Sequence, residues 1–268
     1  MYVYVDADIL LYKAALQAET EFPINEESTV IHGSYYAGRT IINNNIEKIK
    51  EFTKCQNVTL CFSHHENFRK EVYPEYKANR KGKRKPLYYS RLREYCFTKF
   101  SCEVLPELEA DDVLGIKAGE CPESTIIVSD DKDLRTVPCK LVSLKDCLDD
   151  SKTLSEVVEE ITPEEALKNL YIQATVGDSA DNYPGAKGIG ATRAPKLYKD
   201  CNSEKEYYET ALKVFKKSGH DESFMLQMLR CARILRKEDY KEPIQFGKES
   251  VSGRPKHEIY LYSIDRGV

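Results

Sequence analysis

The chain has 268 residues, 41% hydrophobic and 31% charged, enough to bury a sizeable core without help from disulfides or structural metals. No apolar run is long enough for a bilayer crossing, and the N-terminus, Met-Tyr-Val-Tyr-Val-Asp, has neither a basic n-region nor a small-residue cleavage site. From these features neither a membrane span nor a secretory signal is expected, and the expected compartment is the cytoplasm. The net charge of −4 argues against a nucleic-acid binder until its distribution is read: residues 69–93 hold ten Lys or Arg against two Glu, a local +8 that leaves −12 on the rest. Nine cysteines, odd in number and without CxxC pairs, read as buried thiols rather than disulfides or zinc ligands.

Residues 2–5 form a short run of β-formers that ends at Asp6, and residues 9–18 then have helical composition. A strand therefore delivers Asp6 at its carboxyl edge. Residues 58–62, 102–105 and 125–128 read as further short buried strands, separated by helical stretches at 41–52 and 109–119. The alternation predicts an α/β domain over about residues 1–160 with a largely parallel sheet, whose ligand sites lie beyond the strand carboxyl ends. From Thr162, a cap followed by Pro163, the pattern turns helical through 268, with a glycine-rich hairpin after Val176 or Gly177.

Three acidic motifs far apart in sequence fall at helix starts or strand ends. In Leu108-Glu109-Ala110-Asp111-Asp112, Glu109 and Asp112 share one helix face, while Asp111 points about 100° away on an ideal helix. Acids that favour a helix dipole give the same pattern. Asp130-Asp131-Lys132-Asp133 follows a buried strand, where turn chemistry also favours Asp, and Gly177-Asp178-Ser179-Ala180-Asp181 again sets two carboxylates three residues apart. So many acids gathered without cations would raise pKa values and destabilise the fold, whereas Mg²⁺ or Mn²⁺ offsets them through oxygen ligands. The chemistry this predicts is two-metal phosphodiester hydrolysis, with two ions roughly 4 Å apart.

Residues 73–89 interleave cations with tyrosines, the residue types used for phosphate contact and base stacking; a solvated basic loop or a localisation signal has the same composition. Gly185, Gly188 and Gly190 stand within six residues at a helix entry, where backbone N–H groups can approach a phosphate, although a plain connector has the same composition.

These residues resemble the 5′-nuclease superfamily, which includes flap endonucleases, the 5′-nuclease domain of bacterial DNA polymerases and the 5′→3′ exonucleases of short-tailed phages. The carriers are Val5-Asp6, Asn67-Phe68-Arg69-Lys70-Glu71, Tyr76-Lys77-Ala78-Asn79-Arg80, Glu109-Ala110-Asp111-Asp112, Asp131-Lys132-Asp133, the stretch from Gly177-Asp178 to Gly190, and Ala232-Arg233-Ile234-Leu235-Arg236. The resemblance covers most of the chain. It implies a PIN-like α/β core, a basic helical arch over residues 67–95 and a helix-hairpin-helix type element over 177–200. By position it implies that Asp6, Glu109, Asp111 and Asp112 serve a first metal and Asp131, Asp133, Asp178 and Asp181 a second. Lys77 and Arg80 would contact the scissile phosphate beside Asp6, Glu109, Asp111 and Asp131 as the catalytic set. Arg69, Lys81, Lys83, Arg84 and Lys85 would line the strand, and Gly185, Gly188 and Gly190 would grip duplex backbone with a K⁺ ion.

Asp130 and Asp8 match no ligand of the family, and Asp8 reads as a helix cap. Where the family has Phe-Asp after its second strand, this chain has Phe62-Ser63-His64-His65, and His64 either replaces the missing carboxylate or is structural. The resemblance implies a monomeric, Mg²⁺- or Mn²⁺-dependent 5′→3′ exodeoxyribonuclease acting on duplex or flapped DNA with a 5′ end. Flap endonuclease action and removal of RNA from an RNA–DNA hybrid are further expected activities. The rival readings are a PIN-like endoribonuclease and a non-catalytic DNA-binding module.

Overall fold

The structure, a computed structural model, describes residues 1–25 and 28–240. Its strands are β1 (Tyr2–Asp6), β2 (Glu19–Pro23), β3 (Thr29–Gly33), β4 (Val58–Cys61), β5 (Ser101–Glu103), β6 (Thr125–Val128), β7 (Cys139–Val142) and β8 (Glu159–Ile161). Its α-helices are α1 (Ala7–Gln17), α2 (Tyr35–Thr53), α3 (Arg69–Val72), α4 (Tyr89–Lys99), α5 (Ala110–Glu120), α6 (Leu144–Cys147), α7 (Leu154–Val157), α8 (Pro163–Val176), α9 (Ala194–Leu197), α10 (Glu204–Lys217) and α11 (Glu222–Ala232).

Six strands form one sheet in the order β5-β4-β1-β6-β7-β8, parallel throughout except for the antiparallel edge pair β7 and β8. Side chains alternate across it as the strand period requires. Val3, Val5, Leu60, Ile126 and Val128 face Leu10, Leu11, Ile42, Ile46 and Leu92 of α1, α2 and α4. On the other face Cys61, Ile127 and Leu141 meet Val113, Leu114 and Ile116 of α5. Burial on both faces explains why β6 is apolar from Ile126 to Val128. A separate aromatic core, with Tyr171, Tyr198, Tyr207 and Phe215 among its members, holds α8, α10 and α11 together.

The parallel register sets the strand ends level. Asp6 pairs with Cys61 and Val5 with Val128, so Asp6, Ser63 and Ser129 emerge at one edge. Three elements were not legible in the pattern: the separate β2–β3 hairpin, β7, and β8, whose Glu-Glu-Ile sequence is untypical of a strand. The basic segment is helical only at its flanks. Residues 81–88 are irregular, because Gly82 adopts a φ of +82°, Pro86 interrupts, and closely spaced like charges disfavour a helix. Within the expected helix-hairpin-helix element over 177–200 the only α-helix beyond the end of α8 is the four-residue α9, and the helical part is described to Tyr240, its remainder lying outside the described residues. All nine cysteines are free; most are buried or half-buried as expected, but Cys121 is exposed. No helix among the described residues is long and apolar enough to cross a membrane.

Gly115 is where α5 meets the segment after α11. A Cβ there would lie 2.3 Å from the Leu235 carbonyl oxygen and 2.9 Å from Ile234. Gly115→Ala is expected to destabilise the protein by about 1–3 kcal/mol, read from urea denaturation, because backbone must move to admit one methyl group.

Candidate active site

Asp6 is almost fully buried, caps α1 by accepting from the Ile9 N–H at 3.1 Å, and accepts from Ser129 Oγ at 2.8 Å. Asp8, the expected cap, instead joins two distant segments, with Oδ2 accepting from the Ser63 N–H at 3.0 Å and Oδ1 from the Tyr89 hydroxyl at 3.2 Å. The cap therefore moves two residues upstream, since the strand ends directly in the helix. Burial, with the Asp8 charge next in weight, pushes the Asp6 carboxyl up to about 7.

Beyond β6, Asp130 turns away to Lys13, Ser143 Oγ at 2.6 Å and the Lys145 N–H at 3.2 Å, a local structural role. Asp131 caps a turn of 3₁₀-helix, Oδ1 accepting from the Asp133 N–H at 2.8 Å. Burial and then the charges of Asp131 and Asp178 raise the Asp133 carboxyl to about 7. Asp178 accepts from the Ala180 N–H at 2.6 Å, which orders the turn leading to Asp181, and lies 3.4 Å from Lys132.

At the start of α5 the neighbours Asp111 and Asp112 diverge. Asp112 is fully buried and saturated: Arg69 donates to both its oxygens at 2.7 Å, and the Leu235 and Glu109 N–H groups donate at 3.0 and 3.1 Å. Arg69, 2% exposed, gives its other hydrogens to the Cys231 and Arg233 carbonyls at 3.1 and 2.6 Å and to Glu109 at 3.3 Å. Two expectations are corrected here. Arg69 is too buried to line a DNA strand, and Asp112 has no oxygen left over for a metal; both belong to a buried ion pair.

Asp111 is the opposite case. Its Oδ1 is buried without a hydrogen-bond partner, and burial together with the charges of Asp6 and Asp131 raises its pKa well above the usual carboxylate range. Glu109 accepts from Lys77 and from the Tyr76 hydroxyl at 2.9 Å. Burial alone would raise its pKa, but the Lys77 and Arg69 charges win and hold it down at about 2. The Tyr76 hydroxyl also lies 2.8 Å from Asp181, so one buried phenol bridges an acid of α5 and an acid of the hairpin. Lys77 lies 3.5 Å from Asp181, and Arg80 donates to Asp181 at 2.5 Å while remaining exposed on its outer side.

Lys81, Lys83 and Lys85 are exposed. Arg84 is half-exposed but paired with Glu19 of β2 through two 2.8 Å bonds, which ties the basic segment to the hairpin. Gly188 and Gly190 are open to solvent, with nothing within 4 Å of a Cβ. Gly185 is buried, and its Cβ would lie 2.4 Å from Gly177 N; close packing inside the turn, rather than contact with DNA, is the reason for this glycine.

The structure thus gathers Asp6, Asp111 and Asp131 within electrostatic reach, links Asp133 to Asp178, and sets Lys77 and Arg80 against Glu109 and Asp181. Among the described residues, the three potential ligand atoms that lie within 4.8 Å of one another belong to His64, His65 and Glu66; the predicted carboxylates form no such trio. His64 Nδ1 accepts from the Glu66 and Glu107 N–H groups at 3.2 Å each, so in the neutral ring the proton sits on Nε2. That arrangement shapes the loop after β4, with no carboxylate-like donor atom offered by Nδ1. Tyr76 and Ser129 were missed as site residues, and a polar residue within a basic run or at a strand end gives no signal that it will become a bridge.

The raised carboxyls have a consequence for stability. Asp6 and Asp133 keep protons in the folded chain that the unfolded chain releases from an ordinary value of 3.8. Folding then binds protons, and stability falls as pH rises towards and through about 7. In EDTA, the melting temperature is expected to be lower at about pH 8 than at about pH 5.5, and Asp133→Asn to narrow the gap. A melting temperature that rises over this range in calorimetry would contradict the assignment.

Residues 1–170 match the family described as 5′-3′ exonuclease, N-terminal resolvase-like domain. The exodeoxyribonuclease of Enterobacteria phage T3 is 31% identical over 199 residues, spanning 70% of this chain and 63% of that protein. The exonuclease of Escherichia phage T7 is 28% identical over 274 residues, spanning 88% of each. In fold, the chain is similar to the phage T5 D15 protein co-crystallised with metal ions (TM-score 0.58, 15% identity, 85% of this chain and 87% of that one). It is also similar to the T5 D15 flap endonuclease in a complex with DNA and metal ions (TM-score 0.60, 15% identity, the same coverage). On the strength of the match over residues 1–170, the chain belongs to the 5′-3′ exonuclease family.

Proposed function

We propose that the protein is a metal-dependent 5′→3′ exodeoxyribonuclease acting on duplex DNA with a 5′ end. Flapped DNA and the RNA strand of an RNA–DNA hybrid extend its substrate range. Asp111 supports this most directly: a buried carboxylate oxygen without a donor, facing the charges of Asp6 and Asp131, calls for a cation. The hard oxygen donors suit Mg²⁺ or Mn²⁺. Asp6, Glu109, Asp111 and Asp131 would hold one ion, and Asp133, Asp178 and Asp181 a second. When bound, two such ions supply the charge that activates an attacking water and stabilises the attacking and leaving oxygens of a phosphodiester.

The chain's own residues supply the rest. Lys77 and Arg80 stand at the rim of the carboxylates with hydrogens to spare for a phosphate, and their ion pairs with Glu109 and Asp181 hold them where the scissile group must arrive. Lys81, Lys83 and Lys85 follow the strand backbone, and the open turn at Gly188 and Gly190 meets the duplex, with K⁺ as a cation suited to that turn. Such contacts read backbone rather than sequence, so affinity falls steeply with salt and sequence preference is low. Nothing in this scheme requires more than a monomer.

A labelled duplex with a 5′ overhang is expected to shorten from its 5′ end in Mg²⁺ and to stay intact in EDTA. Asp131→Asn should lower the rate by at least about 100-fold. Binding without turnover in Mg²⁺ or Mn²⁺ on any end structure would instead favour a non-catalytic DNA-binding module, and turnover confined to RNA an endoribonuclease.

A further inference from the structure

Ser63, the first residue after the buried Phe62, connects three elements of the site. Its N–H donates to Asp8 Oδ2 at 3.0 Å, its carbonyl accepts from Arg93 Nη2 at 3.2 Å, and its Oγ accepts from the Ala110 N–H at 2.9 Å. Ala110 opens α5 between Glu109 and Asp111, and Asp8 lies two residues from Asp6 on α1. The other oxygen of Asp8 accepts from the Tyr89 hydroxyl at 3.2 Å. Tyr89 is the first residue of α4, entered through Tyr88 with a left-handed φ of 60°, so it marks where the basic segment returns to the core. Lys85 Nζ lies 4.9 Å from the centre of the Tyr89 ring. Burial, with Asp8 next in weight, raises the Tyr89 pKa above its ordinary value, so the hydroxyl stays a donor.

We propose that Tyr89, Asp8 and Ser63 form a positioning relay that fixes the end of the basic segment to α1 and α5, whose caps are Asp6 and Glu109 and the second of which carries Asp111 in its first turn. Asp8, Ser63 and Tyr89 line a cavity of about 1390 Å³ whose wall also carries Arg80, Lys83 and Lys85, so the relay shares that cavity with the cations that meet a strand. Each link is a single hydrogen bond with a partner on a different element, and each fixes a distance that neither element sets alone. Tyr89 and Asp8 touch no reacting atom in this scheme. They keep the phosphodiester held by the basic segment in register with the carboxylates.

Tyr89→Phe keeps the ring under Lys85 and removes only the hydroxyl. It is expected to lower the single-turnover rate on a 5′-flapped duplex about tenfold. Affinity for the same DNA, measured in Ca²⁺, should stay within about twofold, and cuts should spread to neighbouring phosphodiesters. In an Asp8→Ala background, adding Tyr89→Phe should cause no further loss, because both changes break one link. A Tyr89→Phe enzyme with wild-type rate and cut position would overturn the proposal, as would losses that multiply in the double variant. If Asp8→Ala does not fold, the rate, affinity and cut position of Tyr89→Phe decide alone.

Discussion

The paired hydrogen bonds between Arg69 and Asp112 are the contact on which the rest of this structure depends. A charged pair so far from water is held only when every donor and acceptor is met, and here they are, by the carbonyls of Cys231 and Arg233 and the N–H groups of Leu235 and Glu109. Arg69 opens α3, and these partners come from the start of α5, the end of α11 and the segment after it. One ion pair thereby closes the helical part onto the sheet and sets the direction in which α5 presents its first turn. Net stability is not its chief contribution, since a well-packed apolar substitute can match a buried ion pair; its geometry determines where Glu109 and Asp111 point.

The remaining acids follow from sheet topology and charge. Parallel strands end at one edge, so β1 and β6 place Asp6 and Asp131 near each other without any long-range design beyond register. Glu109 and Asp181 have Lys77, Arg80 and Tyr76 as partners, and the Lys77 and Arg69 charges keep Glu109 ionised. Asp6 is buried and Asp111 and Asp133 are half-buried, all three among like charges, and their pKa values are raised. Two populations of carboxylate thus share a small volume: one satisfied by the protein, the other in want of positive charge. That division is what a site for divalent cations and a phosphodiester requires.

Much of this was legible in the sequence because it is local. The strand ending at Asp6, the cap at Thr162 with Pro163, and the apolar run at 125–128 are each signalled within a few residues. Long-range pairing was not legible. Asp111 and Asp112 look alike in a string of letters, and only the arrival of Arg69 from 43 positions away separates them. The same holds for Gly185, whose neighbour Gly177 makes it a packing residue, and for Arg84, bound to Glu19 across 65 positions. Arg69 itself looked like part of a basic surface because it begins a basic run, and nothing local indicates that it turns inward. The β2–β3 hairpin escaped notice because both its faces are largely exposed and its sequence lacks a clear alternation of apolar and polar residues.

The most direct test compares Asp111→Asn with Asp112→Asn in two measurements, urea denaturation in EDTA and Mn²⁺ binding by calorimetry. Asp112→Asn leaves Arg69 buried without its counter-charge and is predicted to lose about 3–5 kcal/mol of stability. Asp111→Asn removes a carboxyl whose ionisation burial and like charges penalise, and is predicted to be at least as stable as the wild type while losing Mn²⁺ affinity. An Asp112→Asn protein of wild-type stability that binds Mn²⁺ poorly, beside an Asp111→Asn protein that binds it normally, would contradict the account.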